Sequence, residues 1–158
     1  MFIQKLIQTL ERHKVRFAIA GGYAVALHGA VRGTADIDLV IALDKENFTR
    51  AEAALKAQGL SPRLPVTAEN VFQFRREYIQ NRNLIAWSFV NIQNPVEIVD
   101  IIVTHDLKQM KIKQIKTPAG ILPILSIEDL IAMKKQSARP QDLADIEALK
   151  NLQRGSSA

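Results

Sequence analysis

Two aspartates one residue apart, Asp36 and Asp38, stand at the head of an apolar, β-branched run that continues Leu39-Val-Ile-Ala42. Carboxylates at i and i+2 of a strand project from the same face. Their charges repel, and each raises the other's pKa unless a cation sits between them. Hard oxygen donors on one face suit Mg²⁺, which takes its remaining ligands from phosphates and water. Upstream, the apolar run Phe17-Ala-Ile-Ala20 ends in Gly21-Gly22, with thirteen residues between Gly22 and Asp36. A strand that breaks at a diglycine lets backbone N–H groups approach an anion closely. Strand, diglycine, short helix and Asp-x-Asp strand together suggest a site for nucleotide phosphates between an amide cradle and a metal.

The elements that must position these groups follow from periodicity and punctuation. Phe2, Ile3, Leu6, Ile7 and Leu10 recur at helical spacing and predict an amphipathic helix over 2–13. Val15–Ala20 reads as a buried strand, Tyr23–His28 as a short helix stopped by Gly29, and Ile37–Leu43 as a second strand. Asp44 is placed to cap a helix running to Gln58, before Gly59. Ser61–Pro65 reads as a loop, and Thr67 as the cap of one polar helix reaching Gln80. Leu84–Ile92 and Val96–Val103 are apolar runs separated by Gln93-Asn-Pro95, the pattern of an antiparallel hairpin. Lys111–Leu125, with Pro118, Gly120 and Pro123, suggests a short, irregular strand pair. Ser126 heads a helix, Pro140 opens a last one over Gln141–Leu152, and Arg154–Ala158 reads as a tail.

Composition sets the frame. The 158 residues, 47% apolar and 23% charged, suit one globular domain, 1–153, with a core over 1–125 and C-terminal helices over 126–153. No apolar run approaches the ~20 residues of a membrane helix. Without cysteine there is no disulfide and no thiolate metal site, and the cytoplasm is the expected compartment. The net charge of +5 favours anionic partners, nucleotides or nucleic acid.

Ala20-Gly21-Gly22 and Asp36-Ile-Asp38-Leu39, at this spacing, resemble the signature of the nucleotidyltransferase superfamily with the DNA polymerase β-type core. His28-Gly29, Arg32, Thr34, Ile127-Glu-Asp-Leu-Ile-Ala-Met-Lys134 and Ala138-Arg-Pro-Gln-Asp-Leu-Ala-Asp145 resemble small bacterial and archaeal members related to abortive-infection (AbiEii-like, type IV toxin–antitoxin) proteins. The resemblance implies an α+β fold, a mixed, mostly antiparallel sheet flanked by helices. It also implies Mg²⁺-dependent transfer of a nucleoside monophosphate from an NTP to an acceptor hydroxyl, with two metal ions (Mn²⁺ as a substitute). A third carboxylate completes such a metal site; Asp100, interrupting Glu97-Ile-Val-Asp-Ile-Ile-Val103, is the first choice, since an unpaired charge there is costly. Glu97, closer to the turn, is the competitor. Gly21, Gly22, Arg32 and Thr34 would grip the phosphates. Many relatives have Gly-Ser where this chain has Gly21-Gly22, so backbone must serve alone unless Thr34 supplies the hydroxyl. The Gly-Ser-x-x-Arg-Gly pattern of the antitoxin branch is absent.

Lys134 matches a lysine that the toxin relatives place near the nucleotide; a dipole-complementing lysine at a helix end is an equal reading. Arg139 and Asp142 stay open between site and ion pair, and Asp145 reads as an ion-pair partner. His28 reads as packed or capping, and His13 and His105 as surface. Phe72, Phe74, Tyr78, Trp87 and Phe89 read as core. Lys108, Lys111, Lys113 and Lys116 form a basic run where an RNA backbone could lie. The expected function is nucleotidyl transfer to RNA, as at a tRNA end, in a toxin–antitoxin or phage-defence setting with a cognate antitoxin or other partner protein. The alternatives are transfer to an antibiotic-type small molecule, or a nucleotide-binding regulatory module acting on a protein partner.

Overall fold

Burial on both faces fixes the centre of the molecule. In the computed structural model, which describes residues 2–30 and 36–156, β1 (Phe17–Ala20) is buried at every position and β2 (Ile37–Ile41) at all but Asp38. They pair antiparallel, with Ala20 opposite Asp38. Beside β2 runs β5 (Ile98–Ile102), parallel to it, and beyond β5 lie β4 (Ala86–Val90) and the two-residue β3 (Ser61–Pro62). On the other side of β1, parallel β7 (Gly120–Leu125) carries the edge strand β6 (Ile112–Thr117). The order is β3-β4-β5-β2-β1-β7-β6, antiparallel except at β1–β7 and β2–β5.

The β4–β5 hairpin shows why one face is core and the other is open. Trp87, Phe89, Val99 and Ile101 are buried, whereas Ser88, Ile98, Asp100 and Ile102, which alternate with them, are half-buried. Trp87 stacks edge-on to Phe89 at 4.7 Å and lies 6.0 Å from Phe48 of α3 (Lys45–Ala57). α3 packs on α1 (Phe2–Arg12), whose Ile3, Leu6, Ile7 and Leu10 are buried as their spacing requires. Asp44 caps α3 by accepting the Asn47 N–H at 2.8 Å.

Several expectations are corrected. Ser61-Pro62 is not loop but edge strand, pairing with Val90 and Phe89. The helix capped by Thr67 breaks at Phe74 into α4 (Ala68–Gln73) and α5 (Arg75–Arg82); α5 buries no residue, too polar to continue one packed face. Phe72 and Phe74 are consequently exposed rather than core. β6 and β7 pair over six residues each, a regular hairpin despite the prolines. α7 (Pro140–Ser156) carries on past Arg154, where the tail was expected. It packs on α6 (Ile127–Ser137), which is capped by the Ser126 hydroxyl. Among the described residues no helix is long and apolar enough to cross a membrane.

Candidate active site

Strand register alone brings two carboxylates together. Asp38 of β2 lies opposite Asp100 of β5, and Asp100 opposite Ser88 of β4. Paired strands run about 4.8 Å apart, so the two aspartates stand side by side on one face of the sheet. Burial first, then the charges of Asp100 and Asp36, push the Asp38 carboxyl up to about 6, against a weaker opposing pull from Lys134. Asp36 sits just outside β2 and is exposed. Glu97, the competitor, has the opposite strand parity to Asp100 and accepts a hydrogen bond from the Asn91 amide at 2.8 Å.

Gly21 opens α2 (Gly21–Leu27) with φ of +63°. A Cβ there would fall 1.9 Å from Asp38 Oδ2. The glycine is demanded by the carboxylate it faces as well as by its left-handed backbone. Ala20 offers no side-chain cap, so the first N–H groups of α2 are left uncapped. Gly22 is buried beneath them. Arg32 and Thr34 lie outside the described residues. His28 bonds the Leu125 carbonyl at 2.8 Å, tying the end of α2 to β7.

A cleft of about 410 Å³ is lined by Gly21 and Asp38, by Ile102 of β5, and by Leu130 and Met133 of α6. Lys134 lines it, but is only 8% exposed and is held by two acids of α7: Asp145 at 2.8 Å and Asp142 at 3.5 Å. Asp142 is also bound by the Arg139 Nε at 2.9 Å, the Ser137 hydroxyl at 2.9 Å and the Arg139 backbone N–H. Burial alone would raise its carboxyl, yet these hydrogen bonds and the guanidinium charge hold it well below the usual carboxylate range. The Arg139 side chain remains 75% exposed at the cleft rim. Sequence reasoning set His105 on the surface, whereas it lines the cleft, its Nδ1 2.8 Å from the Thr104 hydroxyl. Its position just after the acidic strand was the available signal.

Among the described residues no three His, Asp or Glu side chains already converge as a metal cage. The donor set still fits a hard divalent ion: two carboxylates short of positive charge, with Asp36 contributing to the same field.

The family model of the aminoglycoside-2''-adenylyltransferases matches residues 2–85, just over half of the chain. The chain belongs to this family. It is an enzyme of the nucleotidyltransferase class. No curated protein matches it in sequence. Solved structures agree on the fold, the nucleotidyltransferase α+β fold. The antibiotic-resistance factor ANT(2'')-Ia in solution is 15% identical, with a TM-score of 0.64 over 99% of this chain and 83% of that one. The crystal structure of ANT(2'')-Ia with adenylyl-2''-tobramycin is 13% identical, at 0.61, over 99% and 97%. An antigenic nucleotidyltransferase-like protein from Paracoccidioides brasiliensis is 19% identical, at 0.59, over 94% and 73%. At such identities the likeness speaks for the fold alone.

Proposed function

We infer that the chain transfers a nucleoside monophosphate, AMP in the first instance, from a Mg²⁺-bound NTP to a hydroxyl of a small polyhydroxylated acceptor. The observation that carries the transfer is the in-register pair Asp38–Asp100, short of positive charge and facing Gly21 across the mouth of the cleft. Asp36, Asp38 and Asp100 would hold the divalent ions, which when bound neutralise phosphate charge and acidify the acceptor hydroxyl. Asp100 receives the hydroxyl proton. The freed oxygen attacks the α-phosphorus, the bond to the bridging oxygen of the β-phosphate breaks, and pyrophosphate leaves. Gly21 and Gly22 offer backbone N–H groups to the phosphates, with Arg32 and Thr34 as further grips. Lys134 acts on the site through its field and through the α6–α7 junction it holds, and Arg139 offers an exposed guanidinium at the rim.

The small acceptor is supported by the matched family and by the tobramycin adduct of the structural neighbour. A second reading, an RNA acceptor such as a tRNA in an abortive-infection setting, is favoured by charge. The net balance is +5, and Lys113 and Lys116 are exposed on edge strand β6, which suits a polyanion better than a polycationic antibiotic.

One experiment separates them. The protein is incubated with each α-labelled NTP and Mg²⁺, beside tobramycin and beside total tRNA, with an Asp36→Ala/Asp38→Ala control. Label on tobramycin, absent in the control, is the expected result. Label on tRNA instead would carry the second reading. Tight NTP binding without transfer to either would leave a nucleotide-binding module that works through a protein partner.

A further inference from the structure

The cleft has three kinds of lining: Asp38 and Lys134 beside Gly21, the apolar Ile102 of β5 with Leu130 and Met133 of α6, and the polar pair Thr104 and His105. The parallel register sets the direction: Asp38 is level with Asp100 and Val40 with Ile102, so the cleft follows β5 away from the carboxylates. β5 ends at Ile102, about 7 Å beyond Asp100 at strand rise, and Thr104 and His105 follow in a bend just after it. A slot with apolar walls on two opposed elements accepts a flat ring, and a few convergent polar groups at its end fix orientation.

Thr104 and His105 are those groups. Thr104 Oγ1 and His105 Nδ1 are 2.8 Å apart, which leaves His105 Nε2 unspent by that bond. If the hydroxyl donates to Nδ1, Nε2 carries the hydrogen and donates; in the other tautomer Nε2 accepts and the hydroxyl hydrogen is free. A dyad held in one geometry with a defined donor–acceptor order discriminates between bases, since a mismatched edge leaves buried polar groups unpaired.

We propose that the Thr104–His105 dyad reads the hydrogen-bonding edge of the NTP base, seated between Ile102 and the Leu130–Met133 face of α6. It is a specificity-determining element of the reaction, and it rests on the nucleotidyl-transfer reading above.

The test is equilibrium binding of the four NTPs and of inorganic tripolyphosphate, all with Mg²⁺, to the full chain and to Thr104→Val, His105→Phe and His105→Gln. The wild type is expected to prefer one base at least 10-fold over the weakest. Thr104→Val and His105→Phe should bring the four within about 3-fold, consistent with the loss of one or two hydrogen bonds. Tripolyphosphate affinity should stay unchanged in every variant, which also shows that they fold. His105→Gln, which keeps a donor and an acceptor, should retain or redirect the preference. A wild type with no base preference, or a Thr104→Val or His105→Phe variant that keeps it, would overturn the dyad's role while leaving nucleotidyl transfer standing. Absence of binding by all NTPs and by tripolyphosphate would overturn both.

Discussion

Two pairs of aspartates lie near the cleft, and the chain treats them oppositely. Asp142 and Asp145 on α7 are 2% and 3% exposed, yet Lys134, Arg139, Ser137 and Gln141 surround them with donors. Asp38 and Asp100 on the sheet are less buried, and Asp38 is nevertheless the strained one, its carboxyl pushed up to about 6. Burial acts on both pairs; what differs is whether the fold supplies the countercharge. The α7 pair is compensated by the protein and fastens α6 to α7. On the sheet pair the pull of Lys134 on Asp38 is outweighed by burial and by the neighbouring carboxylates. An acidic cluster marks a site when its charge is left unbalanced, not when it is merely buried.

The largest expected effect falls on turnover. Asp38→Ala and Asp100→Ala should each lower the transfer rate by at least about 100-fold, with no loss of thermal stability. A comparable loss from Asp145→Asn in a protein that is still folded would erase the distinction between the pairs. Next comes Lys134→Met, which removes the buried cation shared by Asp145 and Asp142 and leaves Asp142 ion-paired to Arg139 alone. Urea unfolding should show a loss of about 3–5 kcal/mol; a loss below about 1 kcal/mol would mean that the α7 pair is not held as described.

Asp38→Asn should do the reverse, stabilising the metal-free protein. The folded pKa of about 6 exceeds the ordinary carboxylate value of 3.8, so protonation favours the folded state below the lower value. That contribution is lost as pH rises through the upper one, at up to about 3 kcal/mol. The gain in the variant should therefore appear in EDTA at pH 7.5 and vanish at pH 4. Asp142 has the opposite sign: its carboxyl is held low, so its contribution is present above the ordinary carboxylate pKa and fades on further acidification. Asp142→Asn should flatten the acid limb of the stability profile, whereas Asp38→Asn flattens the limb between about 4 and 6. Smallest is Gly21→Ala, with about 1–2 kcal/mol of left-handed backbone strain. Its activity loss should exceed what that destabilisation explains, because the new Cβ displaces Asp38.

Much of the frame was readable from local rules. Strand–diglycine–helix–acidic strand, the Asp44 and Ser126 caps and the β4–β5 hairpin depend on neighbours within a few residues, where periodicity and capping speak. Local rules failed where partners are distant in sequence. Ser61-Pro62 is a strand only because β4 offers it an edge. Phe72 and Phe74 look like core but lie at the break between α4 and α5, where both are exposed. His105 reads as surface although its position just after the acidic strand places it on the cleft.

By itself the sequence determined the chemistry on offer: carboxylates at alternate positions, a diglycine before a helix, and no cysteine. Those follow from residue type and short spacing, which the chain carries without folding. Only the tertiary structure decided the assignments. The parallel register of β2 and β5 put Asp100, and not Glu97, level with Asp38. The packing of α7 on α6 drew Lys134 to Asp142 and Asp145. The span between sheet and α6 made a cleft that Thr104 and His105 share with Asp38 and Gly21. Each joins residues that no sequence period links, and only the closure of the sheet and the docking of the last helices bring them within reach.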